Sequence, residues 1–342
     1  MSSETVRLGI TMGDPSGIGP ELIAKVLREP KLYSDVEFLV IGDERILEMG
    51  KRIAGVGIDV PAVDGPNDPS ITVGHPVLLR LPGCGPDEFP MGEVSRVAGK
   101  VAFDALSHAL SLSRSGQLDG FVFGPLNKEA MHLGGNPYRS ELEFFQAVFE
   151  LNDVENELNY LDGVWTTRVT SHIALSQVCA LITRDRVLAT IQFMNSVLRD
   201  NGHDRPRIAV AALNPHAGEH GLFGREELDE ILPAIELARA QGISADGPFP
   251  ADTVFNRVRK ERYNGLVSMY HDQGQIAMKL VGFERGVTVA GGLPVPIATP
   301  AHGTAHDIAG RGVADMGATA EAIRIACNMI RNKKATAARV SS

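Results

Sequence analysis

The sequence predicts an α/β protein built on a mainly parallel sheet covered by helices on both faces. Short apolar runs alternate with longer stretches of helical periodicity, and Gly/Pro turns follow several of the runs. The composition adds a third observation: 44% of the 342 residues are hydrophobic and 22% charged, far from the balance of a disordered chain. At about 150 residues per domain the length predicts two lobes or one large unit.

Residues 6–12 (VRLGITM) are the first predicted strand. A Gly/Pro turn leads into a helix from 20 to about 28; Pro20 loses nothing by lacking an N–H in the first turn, and Glu21 complements the positive helix end. Residues 37–41 (EFLVI) form a second strand, 94–112 a long helix, and 120–123 (GFVF) the next strand. Then come a strand at 207–213 (RIAVAAL), a helix at 226–241, a strand at 265–270 (GLVSMY) and a closing helix at 320–331. The Pro/Gly-rich stretch 60–90 reads as an irregular insertion with short strands, and 332–342 as a fraying tail. No internal repeat is present.

Charge and cysteine usage narrow the class. With 33 Lys+Arg against 42 Asp+Glu the net charge is −9, and aromatics make up only 6%. Such a chain repels phosphate backbones and has few stacking platforms, so nucleic-acid binding is not expected. Cys84, Cys179 and Cys327 are odd in number and far apart, the pattern of buried reduced thiols rather than a disulfide framework. The first residues show no basic and apolar leader, and no apolar run approaches about 18 residues. The expectation is a cytoplasmic enzyme without a membrane partner.

Three histidines follow strand-like segments: His172 in TSHIAL, His216 in ALNPHAGEHG and His271 in SMYHDQG. In a parallel sheet the strand C-termini gather at one edge, where α/β enzymes build their sites. Three neutral imidazoles suit a zinc-like cation and leave a position for substrate. Their spacings of 44 and 55 residues form no local metal motif, so each reads equally as a hydrogen-bonded or surface histidine. Asn214, Asp272 and Gln273 are candidates to orient the rings. The stretch from Gly13 to Glu21 (GDPSGIGPE) lies between a strand and a helix but has neither the GxGxxG order nor a P-loop Lys. The stretch 291–312 is read as a long irregular loop. In it His302 offers a ring for stacking on a base, Gly303 permits close approach, and Asp307 is placed to accept from a ribose hydroxyl.

The blocks GITMGDPSGIGPE, FGPLNKEAM, ALNPHAGEHGLFGREE, GPFPADTVF, MYHDQGQIAMK and HGTAHDIAGRG, in this order over nearly the whole chain, resemble the 4-hydroxythreonine-4-phosphate dehydrogenase family of pyridoxine biosynthesis. AHGTAHDIAG is also similar to the adenosine-binding loop of isocitrate and isopropylmalate dehydrogenases. The resemblance implies a two-lobed α/β/α fold with an interlobe active-site cleft. The boundaries it implies are a cofactor-side lobe of 1–135 plus 296–342 and a metal, substrate and dimerisation lobe of 136–295. It implies a homodimer with shared active sites, NAD or NADP, and one divalent ion per site: zinc, cobalt, manganese or magnesium, the last disfavoured by imidazole ligands. The metal ligands fall on His172, His216 and His271, the substrate-contacting lysine on Lys279, and the cofactor contacts on His302, Gly303 and Asp307.

Four positions depart from the family pattern. Substrate-binding His and Thr fall on Glu141 and Leu142, substrate-binding Asn on Thr288, and substrate-binding Arg on Ile297. A carboxylate facing a phosphate is repulsive unless a cation intervenes, a role open to Arg139 or Arg285. The expected reaction is oxidation of a secondary hydroxyl to a 3-oxo acid followed by decarboxylation, with Lys279, Asp272 and Asp252 as catalytic candidates and Lys128 behind them. The alternatives are a same-family dehydrogenase of a non-phosphorylated substrate such as a carboxylated cis-dihydrodiol, a metal hydrolase or lyase using the same histidines, and a binding protein that has lost catalysis.

Overall fold

The computed structural model describes residues 5–151, 157–282 and 285–340. The chain packs as two compact units, Met1–Val154 with Leu293–Ser342, and Glu155–Gly292; the segment 136–154 thus lies in the first. In order, the first unit contains β1 (Val6–Thr11), α1 (Gly19–Leu27), β2 (Val36–Gly42), α2 (Glu44–Ala54), β3 (Ala62–Val63), β4 (Val77–Arg80), α3 (Arg96–Arg114), β5 (Gly120–Phe123), α4 (Lys128–Leu133) and α5 (Glu141–Phe149). The second holds β6 (Glu157–Leu161), β7 (Val164–Arg168), α6 (Leu175–Leu181), α7 (Arg184–Asp200), β8 (Arg207–Ala211), α8 (Leu232–Ala240), β9 (Ser244–Phe249), α9 (Val254–Glu261), β10 (Gly265–Ser268), α10 (His271–Gly282) and β11 (Val287–Ala290). The chain then returns to the first unit for β12 (Ile297–Pro300) and α11 (Gly317–Val340).

In the first unit the strand order is β3-β4-β2-β1-β5-β12, parallel throughout. Leu8 and Ile10 of β1 are fully buried, as are Phe38, Leu39, Val40 and Ile41 of β2, the near-continuous apolar signature of strands covered on both faces. Helices α3 and α11 pack against both β1 and β5. Side chains fix where the helices begin: Asp43 accepts from Arg45 N–H at α2, and Ser95 from Ala98 N–H at α3. The second unit orders its strands β11-β6-β7-β10-β8-β9; β11, β6 and β7 pair antiparallel, and β7, β10, β8 and β9 pair parallel.

Several sequence expectations are corrected. The stretch 291–312 is not wholly irregular: Ile297 and Ala298 pair with Phe121 and Val122, because an apolar pair between prolines suffices for a short buried strand. The tail does not leave the helix near 331; α11 runs to Val340, carried by the helix-favouring Ala and Lys content of the segment, with Lys334 Nζ bonding Asp119 Oδ2 and Thr5 O. The helix expected at 226–241 opens with a π-helical turn at Glu227–Ile231. All three cysteines are free, but only Cys84 and Cys327 are buried; Cys179 is exposed on α6. Burial pushes the thiol of Cys84 up to about 11 and that of Cys327 to about 12, leaving both protonated and unreactive.

Candidate active site

In the second unit β7 and β10 run parallel with Arg168 opposite Ser268. Pairing continues past both strand ends, Val169 N–H donating to Ser268 O at 2.9 Å and Thr170 N–H to Met269 O at 3.0 Å. Two chains leaving side by side in one direction bring His172 and His271 together, with ring centroids 5.5 Å apart. Two imidazoles on one cation, at metal–nitrogen distances of about 2.1 Å and a tetrahedral angle, would hold their centroids about 5 Å apart. Both rings line a cavity of about 390 Å³ with Ser171, Tyr270, Asp272 and an apolar wall that includes Leu175 and Ile276. His271 Nδ1 lies 2.7 Å from Asp272 Oδ1, so the carboxylate orients the ring and leaves Nε2 for a ligand. His172 has φ 49°, a left-handed conformation costly for a residue with a Cβ.

His216 follows β8 but is turned away from that pair. The buried carboxylate of Glu227 accepts from the N–H groups of Leu213 at 2.9 Å and Asn214 at 2.7 Å, and from Asn214 Nδ2 at 2.9 Å. From there residues 216–220 run entirely in the left-handed region. Gly218 is required: a Cβ would sit 2.6 Å from Glu227 Oε2. His216 does not line the cavity; its ring lies 6.4 Å from that of Phe223. Among the described residues no group of three or more His, Cys, Asp or Glu is arranged to hold a metal ion. One chain thus offers two imidazoles and one orienting carboxylate, which fits part of a divalent cation's needs.

Of the three residues expected to orient the rings, only Asp272 contacts one of them. Asn214 is bonded to Glu226 and Glu227. Gln273 joins the two strand ends instead, accepting from Met269 N–H and donating to Ala212 O. Lys279 is exposed on α10, eight residues or about 12 Å along the axis from His271, and it does not line the cavity. Asp252, also exposed, precedes α9. Thr288 Oγ1 accepts from Asn159 Nδ2 at 3.1 Å. Arg285 is held by Asp162 at 3.2 Å. Ile297 is fully buried in β12 against Phe121 and offers no surface to a substrate.

In the first unit the chain steps from β1 to β2 on one side and later to β5 on the other, so the carboxyl ends of β1 and β5 flank a switch point, the place where open α/β sheets bind ligands. Three loops meet there. Asp14 N–H donates to Pro125 O at 2.9 Å and Ile18 N–H to Thr304 O at 3.0 Å, joining the loops after β1, β5 and β12. A Cβ on Gly17 would lie 2.8 Å from Thr304 Cβ, and Ile308 and Ala309 pack on Ile18 and Leu22. HGTAHDIAG therefore docks on GDPSGIG. Gly303 and Asp307 are exposed, with open space where a Cβ of Gly303 would stand; His302 Nδ1 lies 3.1 Å from Gly303 O, and its buried Nε2 has no partner. Beneath the loop, Asp14 is fully buried and bonds Ser16 through Oδ1 while Oδ2 is unpartnered; desolvation raises its pKa.

A separate recess of the first unit, about 140 Å³, is lined by Lys128, His132, Tyr138, Arg139 and Glu141. Lys128 Nζ is 3.5 Å from Glu141 Oε2, so the carboxylate already has its counter-charge. Leu142, like Glu141, is half-buried on the first turn of α5. Sequence reasoning missed Arg168 and Glu227. Only Arg168 leaves a sequence signal, a cation between Thr167 and Val169 in an otherwise buried strand.

The family described as "Pyridoxal phosphate biosynthetic protein PdxA" matches residues 34–326. A Pseudomonas aeruginosa protein provisionally named 4-hydroxythreonine-4-phosphate dehydrogenase 2 is 49% identical over 96% of this chain and 98% of its own. One from Symbiobacterium thermophilum, provisionally named D-threonate 4-phosphate dehydrogenase, is 40% identical over 93% and 95%. The crystal structure of 4-hydroxythreonine-4-phosphate dehydrogenase from Klebsiella pneumoniae superposes with TM-score 0.81 and 35% identity, covering 97% of this chain and 100% of that one. The chain belongs to the PdxA family and is an enzyme of the dehydrogenase class.

Proposed function

We propose that this member of the PdxA family oxidises a secondary hydroxyl of a hydroxy acid, 4-hydroxythreonine-4-phosphate or a close phosphorylated relative, with NAD or NADP as acceptor. The observation that carries the reading is the imidazole pair His172/His271 on a cavity wall, with Asp272 behind one ring. When bound, a divalent cation (zinc, cobalt, manganese or magnesium) lowers the pKa of the hydroxyl, and the nicotinamide takes the hydride. His172 and His271 would hold the cation, with Asp272 orienting the His271 ring. The exposed face of His302–Asp307 binds the dinucleotide. Oxidation of the alcohol would release a hydride to a bound nicotinamide and a proton to solvent, and a 3-oxo acid product would then lose carbon dioxide and take up one proton.

The working form is a homodimer with shared sites, in the cytoplasm; among the described residues no helix is long and apolar enough to cross a membrane. Leu222 and Phe223, beside the His216 turn, are 72% and 49% exposed, and Ile276 and Leu280 of α10 are 59% and 82% exposed. Apolar surface of this kind marks an association face. A second copy covering it supplies His216 as the third imidazole and brings in Lys279 to orient the substrate. Analytical ultracentrifugation tests this: Leu280→Glu yields monomer with reduced metal content, and a fully active monomer overturns it.

A non-phosphorylated substrate, such as a carboxylated cis-dihydrodiol, is the second reading. It is favoured by the paired Glu141 and the apolar Leu142, at positions where the resemblance implies substrate-binding His and Thr. A panel of phosphorylated and non-phosphorylated hydroxy acids, followed at the reduced-cofactor absorbance with NAD and with NADP, separates the two. Chelator-stripped protein is expected to be inactive until metal is restored. Full turnover without metal overturns the mechanism, and turnover without nicotinamide makes the protein a hydrolase or lyase.

A further inference from the structure

We propose that Lys25, charge-paired with Glu21, is a positioning residue that holds the 304–314 loop in place for the nicotinamide cofactor; the inference rests on the reading above that the exposed face of His302–Asp307 takes the dinucleotide. Ile18, Glu21, Leu22 and Lys25 stand at the i, i+3, i+4, i+7 spacing that lines up side chains on one face of α1 and its capping residue. All four meet the loop that returns after β12. Ile18 N–H donates to Thr304 O at 3.0 Å, and Ile18 and Leu22 share an apolar cluster with Ala314, Ile308 and Ala309. The other two positions on this face are charged.

Glu21 is 1% exposed, and burying a carboxylate is costly unless partners satisfy it. Its Oε1 accepts from Ala314 N–H at 2.7 Å and from Lys25 Nζ at 2.8 Å. An ammonium has three donors and no acceptor; the other two of Lys25 go to Ala314 O at 2.6 Å and Gly312 O at 3.0 Å. Two carbonyls two residues apart are thus drawn to one point, and Val313 between them is left 64% exposed. Gly312 makes the approach with φ 74° and stands where a Cβ would be 2.7 Å from Ile53 O of α2. Deleting the ammonium frees both carbonyls and leaves one of these four hydrogen bonds, with the Glu21 charge buried and uncompensated.

Lys25→Met keeps the stem and deletes the donors. Glu21→Gln combined with Lys25→Met removes both charges and keeps an acceptor for Ala314 N–H. With the full-length protein, NAD and NADP are titrated by calorimetry, and amide exchange over 303–314 is read by deuterium uptake in the ligand-free state. In Lys25→Met the segment should exchange faster, the thermal midpoint fall and cofactor affinity drop about 10-fold, since apparent affinity scales with the fraction of molecules whose loop stands in place. The double variant should regain thermal midpoint, its buried charge being gone, while weak cofactor binding and fast exchange persist. Wild-type exchange and affinity in folded Lys25→Met overturn the proposal. So does a double variant whose affinity returns together with its midpoint, which reduces the pair to a stabilising contact. Where Lys25→Met fails to fold, the double variant decides alone. Wild-type protein that binds neither nucleotide sinks the dinucleotide reading separately, and the exchange comparison still decides whether Lys25 holds the loop.

Discussion

The two units build their candidate sites from different materials. In the second, His172, His271 and Asp272 face a cavity of about 390 Å³ through side chains backed by other side chains. In the first, the switch point is shaped by backbone: Ile18 N–H on Thr304 O, Asp14 N–H on Pro125 O, and glycines where a Cβ has no room. A side-chain site is lost by deleting a functional group, whereas a backbone site is lost by adding an atom. The contrast is open to direct attack.

The largest expected effect is His271→Ala, which should lower bound metal and kcat/KM by more than about 100-fold, beyond the loss typical of an outer contact, with little change in thermal midpoint. Metal content by atomic absorption and steady-state kinetics check it; unchanged metal content breaks the comparison on the second unit's side. Next is Gly17→Ala. Its methyl would sit 2.8 Å from Thr304 Cβ and O, so overpacking should cost about 1–3 kcal/mol by denaturant unfolding and raise the KM for the nicotinamide cofactor while leaving metal affinity intact.

Smaller, and pH-dependent, is Asp14→Asn. Burial raises the folded pKa of Asp14 above its ordinary value of 3.8, so its contribution to stability is present in full below that value and lost as pH rises through the folded pKa. The variant should therefore gain thermal midpoint relative to wild type at pH 7 compared with pH 4, and an equal difference at both rules the argument out. The smallest effect belongs to Gly303→Ala. Nothing lies within 4 Å of the new methyl, so stability should change by less than about 0.5 kcal/mol; a raised cofactor KM with stability unchanged would sharpen the assignment of that face to the dinucleotide.

Much of the α/β pattern was legible because buried parallel strands write themselves as apolar runs: the residues of β1, β2, β5, β8 and β10 were all visible. Strand β12 was not, since three residues between Pro296 and Pro300 carry no periodicity. The histidines were visible as residues that follow strands, but their grouping was not. Which rings meet depends on β7 lying beside β10, a pairing between segments a hundred residues apart that no local pattern encodes. Nor does any pattern say that the carboxylate of Glu227 will seize the backbone at 213–214 and carry His216 elsewhere. Ile297 shows the reverse failure: a position matched by resemblance to a substrate contact is sealed inside the core. Arg168 showed in the sequence only as a cation between Thr167 and Val169; its three partners come from the fold.

The division of the chain has a consequence for synthesis. The first unit is discontinuous, and its strand β12 and helix α11 come from the last fifty residues. A ribosome therefore exposes every strand of the second unit before the first can close its sheet beside β5. Until then the flank of β5 is a bare edge, with the apolar faces that α11 will cover turned to water. Nascent chains halted before residue 297 should consequently engage chaperones through the older part of the polypeptide, not the newer.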